Sequence, residues 1–378
     1  MKEPEKNESR ENSPFEARRE FSEKEGFSRL TVLGFSAFVE EFLICLGVPE
    51  DHSRIISDTI VDAHRSGKQT HGLSRLPIYA RKIEQGLLDP QTPLSVASDS
   101  GAICVLDAAH GFGQVATHVA ADVAHKKATE FGIGLVSIRR SNSFGTAGYF
   151  ARRLSGLGSI GIVMSNAAPA ISLADANYPI FGTNPMAISL PVDESDEGID
   201  LDMASSVVAR SRIRNAMRKG EDMPDGWAFD RNGSPTVSPQ EALEGWLAPI
   251  GGFKGYGLAL MIDALTGLLS GGEFAGRVKP LASEDGFSSC SHLVIAIDPQ
   301  KFMVADEYFV RTKEFISTIR ESSKPERNLL PGARSRAARQ SSMTNIEIAP
   351  LDWAIVKDIA QRYEIDAPRT LDDKEEFN

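Results

Sequence analysis

Between residues 102 and 164 the chain switches repeatedly between short β-branched runs and longer helical stretches, and few folds accept that pattern. Residues 102–107 (AICVLD) read as a strand, followed by a glycine turn and a helix over 114–131. Residues 134–138 (GLVSI) read as a second strand, 146–157 as a helix and 160–164 (IGIVM) as a third strand. This alternation predicts mixed α/β layers, so the fold class is α/β. Residues 255–269 form an apolar stretch with glycines on one face, suited to a closely packed helix, and 292–297 (HLVIAI) again reads as a strand.

The segment before residue 100 has a different period. Apolar residues recur at helical spacing over 35–46 and 53–64, with Pro49 and Asp51 as a start signal and Gly67 as a stop. A further helical stretch over 76–85 ends at Gly86, giving a mostly helical first lobe. No period of 20–50 residues recurs, which excludes a solenoid. Residues 1–27 are dense in Glu, Lys, Arg, Asn and Ser and are expected to form a solvated, disordered tail. They lack the apolar core of a signal peptide.

A chain of 378 residues can bury a core large enough for two lobes. No apolar run approaches the roughly 18 residues of a membrane span, so no membrane partner is expected. Cys45, Cys104 and Cys290 have neither disulfide-framework nor zinc-ligand spacing, which predicts reduced thiols in a cytoplasmic protein with no metal site. The net charge of −11 argues against nucleic acid as a partner. It does not oppose a small carboxylate substrate, because a few placed arginines set the local potential.

Two glycine motifs invite a nucleotide reading. Gly111, Gly113 and Ala116 have G-x-G-x-x-A spacing between a strand and a helix, and Arg139 and Arg140 follow the next strand like a 2′-phosphate site. The competing reading is a tight strand–helix connection that needs small residues, and it is the preferred one. Residues 251–257 (GGFKGYG) lack the spacing of a Walker phosphate loop. Residues 331–339 (PGARSRAAR) carry Arg334, Arg336 and Arg339, read first as a solvated helix face and second as an anion contact.

The densest cluster of chemically useful groups is residues 70–79 (THGLSRLPIY). His71, Arg75 and Tyr79 are four residues apart and would share one face if the segment were helical. An imidazole exchanges protons near neutrality, a guanidinium grips a carboxylate through two parallel bonds, and a phenol bonds a substrate oxygen. The set suits hydride transfer next to a carboxylate, although a packed polar face would look the same. Ser165 ends a strand, and Asp202, Met203 and Ala204 open a segment able to cap a helix or bind a ribose or pyrophosphate. Lys254 sits among glycines that let a ligand approach the backbone.

Taken together, eight segments in order resemble the malate/L-lactate dehydrogenase family of the non-Rossmann type: THGLSRLPIY at 70–79, HGFGQVAT at 110–117, GIGLVSIRRSNSFGTAGYF at 132–150, MSNAAP at 164–169, FGTNPMAISLP at 181–191, IDLDMASS at 199–206, GWAFDRNGSPT at 226–236 and PIGGFKGYGLALMIDALTGLLSG at 249–271. The resemblance implies a family-specific NAD(P)-binding domain over 101–300, built on a largely antiparallel sheet. It implies a helical lobe formed by 28–100, to which 301–378 returns, and a homodimer. It implies NAD or NADP as cofactor, with His71 as proton donor and Arg75 on the substrate carboxylate. Ser165, Asp202, Met203, Ala204 and Lys254 match cofactor positions, and Gly332 and Arg334 fall in a further cofactor segment.

Three departures stand out. Ser143 replaces a histidine in an S-N-H-F-G motif, and a serine passes a proton only through a water near pH 7. Arg334 stands where dehydrogenase members often carry glutamate and imine reductases carry arginine. Arg210, Ser211 and Arg212 replace a glycine-containing step. The leading expectation is an oxidoreductase interconverting 2-hydroxy and 2-oxo acids. A reductase of cyclic imine 2-carboxylates and a catalytically impaired cofactor-binding homologue are the alternatives.

Overall fold

The computed structural model describes residues 26–174, 176–193, 198–322, 324 and 329–371; most of the tail expected over 1–27 lies outside them. The chain enters through β1 (Ser28–Thr31) into α1 (Val32–Cys45), whose first turn is capped by Thr31, its hydroxyl accepting from Gly34 N at 3.0 Å. Phe35, Phe38, Val39, Phe42 and Leu43 line one face of α1, the i, i+3, i+4, i+7, i+8 stripe of an amphipathic helix. That stripe packs on α2 (Glu50–Arg65), which places Glu50 and Asp51 at its positive end and Arg65 at its negative end. After two single 3₁₀ turns comes α3 (Leu76–Glu84).

The α/β part runs β2 (Ser95–Ser100), β3 (Ile103–Asp107), α4 (Gly113–Phe131), β4 (Ile133–Ser141), α5 (Ala147–Gly156), β5 (Ile160–Ser165), β6 (Met186–Leu190) and β7 (Ile199–Met203). A smaller layer follows: α6 (Arg210–Lys219), β8 (Ala228–Phe229), β9 (Pro235–Thr236), α7 (Pro239–Glu244), β10 (Trp246–Leu247) and α8 (Phe253–Asp263). The sequence predicts one continuous helix over 255–269, but α8 gives way to a π-turn at Ala264–Leu268. Thr266 bonds back to the Ile262 carbonyl at 2.7 Å, and a side chain on Gly267 would meet the Glu273 carbonyl, so the wider turn fits that close approach. β11 (Cys290–Ile297), α9 (Ala305–Glu321), α10 (Ala333–Ser341), β12 (Asn345–Ile348) and α11 (Pro350–Tyr363) complete the chain.

The main sheet has the order β2-β3-β4-β11-β5-β6-β7. Only β3 and β4 pair in parallel, joined through α4; every other neighbouring pair is antiparallel. The sheet is therefore largely antiparallel, as the resemblance implies. β11 arrives far along the chain and inserts between β4 and β5. A second strand pairing, β1 with β12, joins segments more than 300 residues apart, and Ile346, Ile348, Ile355, Val356 and Ile359 share one core with α1 and α2.

α4 lies unusually close to the sheet because its contact face is alanine. Ala116, Ala120, Ala124 and Ala128 recur every fourth residue and are fully buried. On β4, a Cβ at Gly134 would lie 1.9 Å from the Ala124 carbonyl oxygen, so the pairing requires glycine there. Gly134→Ala is expected to lower stability by about 1–3 kcal/mol in urea denaturation, because helix or strand backbone must move. Gly156→Ala, whose added methyl meets nothing within 4 Å, is the matched control and is expected to unfold like the wild type.

Candidate active site

Strand register brings the sequence-derived residues to one end of the sheet. β4 ends at Ser141, opposite the start of β11 at Cys290, and His292 of β11 pairs with Ser165 at the end of β5. Met164 pairs with Met186 at the start of β6, and Met186 pairs with Met203 at the end of β7. Ser143, Ser165 and residues 202–204 thus lie in a row along that end. Lys254 joins them: Ile250 N donates to the Ser205 carbonyl at 2.8 Å, and Gly251 and Gly252 take positive φ before α8 begins. Lys254 is exposed and has no acidic partner among the described residues.

The segment carrying His71, Arg75 and Tyr79 spans the same end, though not as one helix. The sequence offers a shared helical face at spacing of four; the structure breaks it at Gly72 (φ −101°, ψ −133°), leaving His71 and Arg75 at the ends of separate 3₁₀ turns. Buried His64 imposes the break. Its Nε2 accepts from Leu73 N at 3.0 Å and would lie 2.3 Å from any Cβ at position 72. At one end of the segment Lys68 pairs with Asp202 of β7. At the other, the Tyr79 hydroxyl accepts from Gln114 Nε2 at 2.7 Å, with its ring edge-on to Phe112.

His71 is half-buried in protein atoms, with Nδ1 3.2 Å from the Thr70 hydroxyl. Burial, reinforced by the charges of Arg75 and Lys68, holds its pKa down to about 3, so the imidazole is neutral at pH 7. Arg75 donates from Nε to the Thr70 carbonyl at 2.9 Å and has no carboxylate partner among the described residues. Tyr79 is buried, and burial raises its pKa. Ser143 is half-buried on the loop after β4, and Asn142 anchors that loop through bonds to the carbonyls of His110 (2.7 Å) and Gly111 (3.0 Å).

The structure also shows what the glycine and arginine motifs do. A Cβ at Gly113 would lie 2.1 Å from the Asn142 carbonyl oxygen, and one at Gly111 would strike Thr92. Protein therefore fills the place a pyrophosphate would occupy in a Rossmann turn. Arg139 and Arg140 both pair with Asp107, at 3.0 and 2.7 Å. Of the arginines in 331–339, Arg336 and Arg339 reach Asp200, leaving only Arg334 exposed. Gly332 packs against Asp200, and Asp200 N donates to the Pro331 carbonyl, so Gly332 and Arg334 lie along the outer edge of β7 and away from the row.

Four residues with clear structural roles at this end are not among the site residues read from the sequence: His64, Lys68, Gln114 and His292. His64 and His292 are buried and held neutral by burial, with pKa values lowered to about 4 and about 3. Below pH 6.5 the unfolded chain takes up protons at these imidazoles while the folded chain does not, so stability falls as pH drops. Each is expected to cost about 2 kcal/mol between pH 7 and 5. Urea midpoints across that range, compared with His64→Gln, check this; a flat profile contradicts it.

Comparison with known proteins agrees with this architecture. The family model described as malate/L-lactate dehydrogenase matches residues 33–357. The malate/(S)-sulfolactate dehydrogenase of Methanothermus fervidus is 37% identical over 300 residues, covering 79% of this chain and 87% of the relative. The (2R)-3-sulfolactate dehydrogenase (NADP(+)) of Chromohalobacter salexigens is 34% identical, covering 81% and 90%. The solved sulfolactate dehydrogenase of Methanocaldococcus jannaschii superposes with a TM-score of 0.84 at 33% identity, over 90% of this chain and 98% of that one. The Δ1-piperideine-2-carboxylate reductase of Pseudomonas syringae gives 0.79 at 28%, over 88% and 99%. With its ordered motifs, its largely antiparallel sheet and a family match running through nearly all of the described residues, the chain belongs to the malate/L-lactate dehydrogenase family.

Proposed function

We propose that this end of the sheet binds NAD(P) and a small 2-oxo or 2-hydroxy acid side by side, beneath the segment carrying His71 and Arg75. Family membership makes the chain an NAD(P)-dependent dehydrogenase or reductase. The observation that carries the site assignment is a neutral imidazole beside a guanidinium that has no acidic partner among the described residues, tied to the row of strand ends by the Lys68–Asp202 ion pair.

The residues present fit the cofactor. Lys254 has no acidic partner among the described residues and lies beside Gly252, where a Cβ would meet nothing within 4 Å, leaving the backbone open to a phosphate. Asp202 is already neutralised by Lys68, so Met203 and Ala204 would contribute mainly through their backbone, with Ser165 supplying a hydroxyl. Gly332 and Arg334 we assign to the outer end along β7, with exposed Arg334 as the charge for a 2′-phosphate. When bound, the nicotinamide supplies or accepts the hydride.

Arg75 grips the substrate carboxylate and orients it. His71 takes the hydroxyl proton in oxidation and returns it in reduction. The incoming carboxylate adds negative charge beside an imidazole that burial depresses, which raises its proton affinity toward the working range. Ser143 relays a proton through water, and Tyr79 supports α3 against α4 from the core. His71→Ala is expected to lower kcat by about 10²–10⁴-fold while NADPH affinity stays within about twofold. Wild-type-like turnover in that variant would reject the assignment.

The same assay discriminates substrates. NAD(P)H oxidation with oxaloacetate and pyruvate is expected to exceed that with a cyclic imine 2-carboxylate. Ser143 and the low proton affinity of His71 favour the imine as second reading, because an imine nitrogen can arrive already protonated; an imine rate tenfold higher would establish it. Cofactor binding without turnover of either class would point to an impaired homologue.

Our division into a lobe of 28–100 with 301–378 and a cofactor domain over 101–300 is supported by the buried cores among the described residues: one draws on both parts of the lobe, with Phe112 and Val115 packed into it, and two others lie within 101–300. We place the protein in the cytoplasm, in keeping with three unpaired cysteines; no helix among the described residues is long and apolar enough to cross a membrane. We also propose a homodimer. Phe253, Leu260, Met261, Leu265 and Leu268 form an exposed apolar stripe along α8 and its π-turn, beginning beside Lys254, and a second copy would cover it. Met261→Glu is expected to convert a dimer into a monomer in light scattering after size exclusion.

A further inference from the structure

His292 occupies the middle of the row of strand ends, is fully buried, and has both ring nitrogens engaged. Nδ1 lies 2.8 Å from the Ser165 hydroxyl. Nε2 lies 3.0 Å from the Ser141 hydroxyl and 3.1 Å from the Asn142 carbonyl oxygen. The Ser165 hydroxyl also lies 2.8 Å from the Asn166 carbonyl oxygen. Burial keeps the imidazole neutral, so it carries one proton.

Only two proton arrangements are available. If Nε2 carries the proton it donates to the Asn142 carbonyl, and Nδ1 accepts from the Ser165 hydroxyl. If Nδ1 carries it, Nδ1 donates to Ser165, whose own proton goes to the Asn166 carbonyl. Each arrangement leaves one bare contact with a carbonyl, Ser165 Oγ against Asn166 at 2.8 Å in the first and Nε2 against Asn142 at 3.1 Å in the second, where Nε2 instead accepts from the Ser141 hydroxyl at 3.0 Å. In both, the single Ser165 proton is used within the protein, and the hydroxyl can only accept from a ligand.

Building on the assignment of Ser165 to the cofactor, we propose that His292 is a positioning residue that fixes Ser165 as an obligate acceptor for the amide NH₂ of the nicotinamide. The same imidazole holds the Asn142 carbonyl, next to Ser143, so it ties the cofactor contact to the loop where the family histidine is replaced. A hydroxyl free to rotate would donate to an acetyl carbonyl as readily as it accepts from an amide. A hydroxyl held by His292 discriminates between them.

The test is equilibrium binding by fluorescence titration, with three probes: NADPH, its reduced 3-acetylpyridine analogue, whose acetyl group replaces the amide, and ADP-ribose, which lacks the nicotinamide ring. The wild type is expected to bind NADPH about tenfold tighter than the analogue. Ser165→Ala and His292→Asn should each reduce that ratio to about one, with ADP-ribose affinity unchanged. Ser141→Ala, which removes one partner of His292 and leaves the imidazole in place, should reduce it about two- to threefold and serves if His292→Asn does not fold. If Ser165→Ala abolishes the preference but the His292 and Ser141 variants keep it, the positioning role is overturned while the cofactor assignment of Ser165 stands. If Ser165→Ala itself leaves the preference intact, both fall. Equal weakening of all three probes in the His292 and Ser141 variants would show a general structural defect and also overturn the proposal.

Discussion

The insertion of β11 between β4 and β5 is the constraint on which the site rests. β4 and β5 run in the same direction and are separated by one helix in sequence, so a simple doubly wound sheet would pair them directly. Here a strand from some 130 residues further on bonds to both, and its register sets Ser141 and Ser165 on either side of His292. Slipping that register by one residue would turn His292 to the opposite face and leave both serines without it. The end of the sheet that carries the candidate site is thus defined by a long-range pairing and not by a local turn.

Burial of neutral imidazoles is the second recurring device. His64 holds the break in the segment that carries His71, and His292 holds the loop that carries Ser143. In water such groups would titrate near neutrality; enclosed and neutral, His292 bonds through both ring nitrogens and His64 through Nε2, which accepts from Leu73 N. His71 shares their depressed proton affinity but lies only half-buried, next to Arg75, which has no carboxylate partner among the described residues. An anionic substrate can change its charge balance in a way unavailable to the other two.

The features that look most like ligand-binding signals in the sequence turn out to serve packing. Gly111 and Gly113 make room for Thr92 and for the Asn142 carbonyl, and Arg139 with Arg140 neutralises Asp107. Arg336 and Arg339 neutralise Asp200. In each case the residue type is right for a phosphate, but a neighbour distant in sequence already occupies the position. Lys254 and Arg75 differ in having no such neighbour among the described residues.

Local patterns alone determine most of the elements. The stripe of α1, the alanine repeat of α4, the β-branched runs of β3, β4, β5 and β11, and the glycine stops need only the chemistry of nearby residues. The ordered motifs extend this to the family and single out His71, Arg75, Ser165 and Lys254 as candidates. Tertiary structure alone decided the strand order, the break at Gly72, the π-turn after α8, and which cations keep a free charge. It also decided that Tyr79 faces the core and that His64 and His292, not singled out in the sequence, hold the segments that carry the candidate residues. The reason is physical: hydrogen-bond saturation and ion pairing depend on which partner arrives across the fold, and a linear pattern records only neighbours along the chain.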